Sequence, residues 1–356
     1  MPDAPLDPAV ADVRVAVRAA LSSLASADPS PVTGSPRDAH PAPGPVTVAP
    51  RRVVVALSGG ADSLALAAAT AFEARAEGIE VVSVTIDHGL QPGSADAAAR
   101  AAASAERLGI RAHVETVEVG RGSTGGGPEA AARDARYATL RAVALRESAP
   151  LLLGHTLDDQ AETVLLGLAR GSGAASMQGM AALREDDDGV RWLRPLLSVR
   201  RATTRAACEA EGMTWWDDPH NQDPRFARVR ARNRVLPVLE EELGPGIAEA
   251  LARTAEQLRE DAEAFDEMIR ETIEDIVEPA EAGIAVSVAA LQANPAALRN
   301  RIIRLVVASE FGVSLTRRQT VEVARLVTDW SGQGPIDLPS CTARRQAGRV
   351  VFAARG

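Results

Sequence analysis

Val53-Val-Val-Ala-Leu-Ser-Gly-Gly-Ala-Asp-Ser63 is the stretch whose reading decides the fold. The apolar run Val53 to Leu57 predicts a buried strand. Ser58-Gly59-Gly60-Ala61-Asp62-Ser63 predicts a tight turn, and the Ala/Leu-rich segment after it predicts a helix over 61–77. A strand that enters a helix through glycines makes an anion site: free backbone N–H groups and the positive helix end point outward together. Two adjacent glycines let the backbone approach a phosphate with no Cβ in the way. Ser58 and Ser63 add hydroxyl donors, and Asp62 can hold a magnesium ion or cap the helix.

The turn is not a Walker loop, which needs Gly-Lys followed by Ser or Thr. The chain has no lysine; its 39 basic residues are all arginine. Walker-type phosphate transfer and Schiff-base chemistry on a protein lysine are thereby excluded. Outward from the turn, strands are expected at 52–57, 80–86, 111–118 and 150–154, and helices at 61–77, 94–109, 128–147 and 158–170. Such alternation implies a parallel sheet covered on both faces, with ligands at the carboxyl ends of its strands. An amphipathic helix over 8–26 precedes it, followed by a Pro/Ser/Gly-rich flexible linker at 27–49. Later helices are expected at 199–211, 246–277, 295–310 (capped by Asn294) and 317–330 (capped by Thr316), with short strands at 284–288 and within 336–353. The expected domains are 1–50 (N-terminal helix and linker), 51–222 (nucleotide-binding), 223–280 (helical connector) and 281–356 (a smaller α+β module).

With 356 residues, 46% of them hydrophobic, the chain can build more than one core. No apolar run approaches the roughly 20 residues of a membrane span, and the N-terminus lacks a signal-peptide layout. Cys208 and Cys341 form no CxxC pair, which argues against a disulfide framework, a zinc site or an iron–sulfur cluster and fits a reducing cytoplasm. The net charge of −9 is unevenly spread. Arg225, Arg228, Arg230, Arg232 and Arg234 fall in a run without an acid, and Arg344, Arg345, Arg349 and Arg355 in another. Both runs suit phosphate contacts, and either can be a solvated face.

Four further segments carry chemistry. Thr85-Ile-Asp-His-Gly-Leu90 ends the second strand and puts Asp87 and His88 beside a nucleotide. Glu129 to Tyr137 puts Arg133 and Tyr137 on one helical face, with Arg136 nearby. Gly154-His-Thr-Leu-Asp-Asp-Gln-Ala-Glu-Thr163 opens a helix after the fourth strand, with Asp158 and Glu162 on one face and Asp159 adjacent. Three carboxylates there can hold magnesium, bind an ammonium group or both; N-capping accounts for one or two of them. Gly171-Ser-Gly173 and the acidic run Glu185 to Asp188 suggest mobile loops. The fourth segment, Trp216 to Asp223, leads into the arginines.

The SGGxDS spacing resembles the PP-loop of ATP pyrophosphatases, which cleave ATP between the α and β phosphates. With DHGL, GHTLDDQAET, RGSG at Arg170–Gly173 and Asp218-Pro-His-Asn221, the chain from about Val53 to Pro237 closely resembles the tRNA(Ile)-lysidine synthase family. It departs from the family's pattern at His220, commonly Ser, and at Val229, often Asn. The resemblance implies a Rossmann-like α/β sheet of the adenine nucleotide alpha-hydrolase type and a C-terminal substrate-binding module. It implies an AMP-forming carbon–nitrogen ligase that joins L-lysine to the wobble cytidine of tRNA(Ile) with a CAU anticodon, through an adenylated cytidine. ATP and magnesium are the implied cofactors, and a homodimer is compatible. It assigns Ser58, Gly59, Gly60, Ala61, Asp62, Ser63, Asp87, His88 and Arg136 to nucleotide binding. Asp62 and Asp159 go to magnesium, and Asp62, Asp158, Asp159, Glu162 and Arg133 to catalysis. The alternatives are a PP-loop ligase for another RNA or a small molecule, and a non-catalytic tRNA-binding protein.

Overall fold

The computed structural model describes residues 6–26, 51–87, 89, 93–117, 127–171, 173–218, 222–280 and 283–355. The expectations for His88, for Leu90, for the linker at 27–49 and for residues 219–221 lie outside these residues. The chain divides into two compact units, Met1–Leu258 and Arg259–Gly356.

The first unit opens with α1 (Pro8–Ser26), whose Val10, Val13, Val17, Leu21 and Leu24 form one buried stripe at helical spacing. Then follow β1 (Arg52–Ala56), α2 (Ala61–Ala76), β2 (Glu80–Asp87), α3 (Ser94–Arg107), β3 (Arg111–Thr116), α4 (Gly127–Glu147), β4 (Leu151–Leu152) and α5 (Leu157–Arg170). Val53, Val54 and Val55 are fully buried, as a central parallel strand covered on both faces requires. The sheet continues through the short α6 (Ala174–Met177), β5 (Leu183–Glu185) and β6 (Arg191–Leu193) to α7 (Arg201–Ala210). Its order is β3-β2-β1-β4-β6-β5, parallel except for β5, which pairs antiparallel at the edge. The loop expected at Glu185 to Asp188 is the turn of the β5–β6 hairpin, with Glu185 ending β5; Trp192 is buried and its indole N–H donates to Asp186 at 2.6 Å.

The chain steps from β1 outward to β3, then returns to the other side of β1 as β4. β1 and β4 therefore flank the point where the winding reverses, and a crevice opens there beyond their carboxyl ends. After α7 come α8 (Ala227–Arg230), a π-helical turn (Ala231–Val235), α9 (Leu236–Leu243) and α10 (Ile247–Ile276).

In the second unit, β7 (Val277–Ala280), β8 (Gly283–Ser287), β9 (Ile336–Leu338), β10 (Cys341–Gln346) and β11 (Arg349–Ala354) form an antiparallel sheet ordered β7-β8-β11-β10-β9. α11 (Val288–Ala293), α12 (Ala296–Phe311) and α13 (Arg317–Thr328) contribute Leu291, Ile302, Val307 and Leu326 to a core shared with Val350 and Phe352. Thr316 caps α13 in a capping box with Gln319, as its sequence position implies. Asn294 does not cap α12. Pro295 takes that position, and the Asn294 amide donates back to the Ala290 carbonyl at 2.8 Å, closing α11. Among the described residues no helix is long and apolar enough to cross a membrane.

Candidate active site

The glycine turn lies at the reversal point. Gly59 sits in the left-handed region at φ +82°, where a side chain would be strained. Gly60, at φ −76°, is the N-cap of α2 and offers no side-chain cap, so the first amides of the helix keep no internal acceptor. The Ser63 hydroxyl ties the turn together: it donates to the Gly60 carbonyl at 2.9 Å and accepts from the Ser58 amide at 3.2 Å. Its oxygen lies 3.1 Å from the Ser58 hydroxyl. The Trp216 amide donates to the Gly59 carbonyl at 2.9 Å, pinning the segment ahead of the arginines beside the turn. Across the crevice, Gly154 follows β4. A Cβ on it would stand 3.2 Å from the Asp62 carbonyl group, so a glycine there lets the chain after β4 approach the first turn of α2.

Between them is a cavity of about 740 Å³, lined by Ser58, Gly60, Arg136, His155, Asp159 and Arg232 among others. That volume suits a nucleotide-sized ligand. Arg136 and Tyr137 face it from α4; Arg133 is exposed and leans on the Tyr137 ring, 5.0 Å from its centroid. Burial, with Arg133 close by, pulls the Arg136 guanidinium below its ordinary value. Asp87 is buried at the end of β2, where it accepts the Gly89 amide at 3.0 Å. Its neighbour Ile86 lines the cavity, which Asp87 itself does not.

The three acids of α5 have different surroundings. Asp158 caps α7: its carboxylate accepts the Arg201 amide at 2.7 Å and pairs with the Arg200 guanidinium at 3.1 Å. Asp159 completes a capping box with Thr156, accepting its amide at 2.9 Å, and turns its other oxygen to Arg201 at 2.8 Å. Burial pushes the Asp159 carboxyl up, but Arg201, the Thr156 amide and Arg228 outweigh it and hold the group below its ordinary range. Glu162 is fully buried and is gripped by three arginines: Arg201 at 3.2 Å, Arg228 at 3.0 Å and Arg232 at 2.7 Å. Asp62 accepts from the Thr204 hydroxyl and from Arg201 at 3.4 Å. Burial raises its pKa in spite of these partners.

Sequence spacing did not single out Arg201, Thr204 or His155. The His155 imidazole lies in the cavity wall, and desolvation pushes its pKa down to about 3, so it is neutral at physiological pH. Among the described residues its Nδ1 has no hydrogen-bond partner. The motif position of His155, directly after Gly154 at a strand end, was the available signal. Of the arginines read as phosphate contacts, Arg228 and Arg232 turn inward to Glu162. Arg225 pairs with Asp223 at 2.6 Å, Arg349 with Glu278 at 2.6 Å, and Arg345 donates to the Leu326 carbonyl at 3.0 Å.

Residues 40–239 match the PP-loop domain, and residues 287–351 match the TilS substrate binding domain. A tRNA(Ile)-lysidine synthase of Leifsonia xyli is 53% identical over 339 residues, spanning 94% of this chain and 99% of that protein. The chain belongs to the tRNA(Ile)-lysidine synthase family. Family members from Rhodococcus erythropolis and Streptomyces coelicolor are 52% and 49% identical, covering 85% and 84% of this chain and 90% and 84% of their own. The solved U34-tRNA thiolase NcsA from Methanococcus maripaludis, with its [4Fe-4S] cluster, superposes with a TM-score of 0.54. It covers 71% of this chain and 79% of its own, and at 18% identity it supports the fold alone.

Proposed function

We propose that this chain ligates L-lysine to the wobble cytidine of tRNA(Ile) with a CAU anticodon, at the expense of ATP cleaved to AMP and pyrophosphate. The observation that carries the proposal is the uncapped glycine turn opening onto a nucleotide-sized cavity at the reversal point, with Asp159 of α5 in its wall. The match to family members over nearly the whole chain supplies the substrate class. Amides of the Ser58–Ser63 turn hold the departing pyrophosphate. The C2 oxygen of cytosine attacks the α-phosphate, and an adenylate replaces a poor leaving group. The lysine ε-amine then attacks C2 and AMP leaves. Arg136, facing the cavity, is better placed for the phosphates than Arg133. Neutral His155 is an uncharged hydrogen-bonding group for the base or the nucleotide.

The ammonium of lysine must be bound and deprotonated. Asp159 and Glu162 remain the carboxylates for this, whereas Asp158, engaged in capping α7, supports them from behind. Asp62 and Asp159 both contact Arg201, so they are close enough to share one cation, and they would hold magnesium beside the phosphates. When bound, the ion would offset phosphate charge. Cys208 is buried and its thiol is pushed up to about 12, which argues against thiolation as the chemistry. A cytoplasmic location follows from the tRNA substrate.

The test is incubation of the purified protein with ATP, labelled lysine and CAU-anticodon tRNA(Ile). Label enters the tRNA, depends on ATP, and is lost when the wobble cytidine is changed. Pyrophosphate release without tRNA would favour a small-molecule ligase. Tight tRNA binding without AMP would favour a non-catalytic binder.

A further inference from the structure

Glu162 is closed off from the ammonium that it is proposed to bind. Glu162 has no exposed surface, while Arg201 and Arg232 line the cavity in front of it. Three carboxylates (Asp62, Asp159, Glu162) meet three guanidinium groups (Arg201, Arg228, Arg232) in a net-neutral inner cluster, while Arg200 pairs with Asp158 and Glu249 at its edge. A net-neutral cluster offers an incoming cation little attraction, so one arginine has to leave.

The bonding singles out which one. Arg228 is anchored beyond the acids, to the Asp159 carbonyl at 3.1 Å and the Thr163 hydroxyl at 2.8 Å. Arg201 reaches three carboxylates at once, and its own amide is held by Asp158. Among the described residues the Arg232 guanidinium hydrogen-bonds only carboxylate oxygens of Glu162 and Asp159; it keeps about a quarter of its side-chain surface exposed and sits in the π-helical turn Ala231–Val235. Such turns recur at functional positions. It also belongs to the acid-free arginine run, beside exposed Arg234.

We propose that Arg232 is a positioning residue that exchanges partners: it holds Glu162 and Asp159 while RNA is absent, and moves to an RNA phosphate when tRNA docks. This rests on the lysine-ligase function proposed above. The exchange conserves charge, since a phosphate takes the guanidinium and the substrate ammonium takes the vacated carboxylates. It makes lysine binding dependent on tRNA and keeps the amine away from activated nucleotide until the RNA is seated.

The experiment measures labelled-lysine affinity by equilibrium dialysis, with an ATP analogue blocked at the α–β bridge, with and without tRNA. In the unaltered protein tRNA should tighten lysine binding by about 10-fold or more, within the usual range of coupling between sites. Arg232→Gln without tRNA should bind lysine more tightly by a similar factor, and tRNA should then add little. Its tRNA binding should lose about one unit of salt slope, the share of one phosphate contact. Arg232→Lys should restore part of the coupling. Glu162 keeps Arg201 and Arg228 in the Gln variant, and a thermal melt checks its folding. Equal lysine affinity of the unaltered protein with and without tRNA overturns the exchange, as does a folded Arg232→Gln that binds lysine no tighter. Absence of lysine binding in every condition, with no AMP formed on natural ATP, would instead overturn the ligase function itself.

Discussion

Gly60→Ala separates what the turn does for the fold from what it does for a ligand. The backbone of Gly60, at φ −76° and ψ 161°, is open to any L-residue. An added Cβ would meet the Ser58 hydroxyl at 3.6 Å and the Trp216 carbonyl at 3.9 Å, both ordinary contacts. The fold therefore has room for alanine, and the melting temperature should move by no more than ~2 °C, as for a substitution costing under about 0.5 kcal/mol. The same methyl projects at the uncapped start of α2, where a phosphate would approach the amides. Displacing the anion from one or two charge-assisted hydrogen bonds, at roughly 1.5–3 kcal/mol each, weakens its binding by about 10-fold to 10⁴-fold. ATP affinity by titration calorimetry and pyrophosphate release in the presence of tRNA both read this loss. A stable Gly60→Ala protein that kept ATP affinity and pyrophosphate release within about twofold would refute the cradle, since a reduction of at least 10-fold is required.

Gly154→Ala should do the opposite and act through the fold: its methyl meets the Asp62 backbone at 3.2 Å. A cost of about 1–3 kcal/mol should appear as a lower urea midpoint with unchanged m-value. His155 makes stability fall with acid. Its folded pKa of about 3 lies below the unfolded value of 6.5, so the unfolded chain alone takes up the proton between these values. Stability is full above pH 6.5 and declines as pH drops toward 3, by about 2 kcal/mol between pH 7 and 5; pH-dependent melts should show this loss, and His155→Gln should flatten it. Asp158→Asn should lower stability by about 1 kcal/mol through the weakened α7 cap. It should leave lysine KM near its original value, whereas Asp159→Asn should raise that KM at least about 10-fold; steady-state kinetics of both variants distinguish the roles.

What the sequence made legible was local. Ser58 to Ser63 and Thr156 to Asp159 declare themselves because strand, turn and cap fall within a few residues. Long-range partners do not. Asp62 meets Thr204 across 142 residues, and Glu162 meets Arg232 across 70. The Arg225–Arg234 run looked like a face for RNA because no acid lies within it. Topology brings α5 to it instead. One clue was present: Arg200 and Arg201 stand at the start of α7, where cations oppose the helix dipole. A local conflict of that kind points to compensating acids elsewhere in the fold.

The α5 acids show why spacing indicates proximity but not availability. Helical periodicity groups Asp158, Asp159 and Glu162, and all three do lie together. Yet a carboxylate that caps a helix, one that closes a capping box and one enclosed by three guanidinium groups differ in the work needed to free them. Asp158 would uncap α7 and Asp159 would keep only the oxygen facing the cavity, while Glu162 would take a buried carboxylate from three guanidinium groups at once. Displacing the last without a compensating anion costs several kcal/mol, because buried charges left unpaired are penalised far more than paired ones gain. An anionic polymer arriving with its own phosphates removes that penalty, so the substrate that needs modifying is also the one that can unlock the carboxylates.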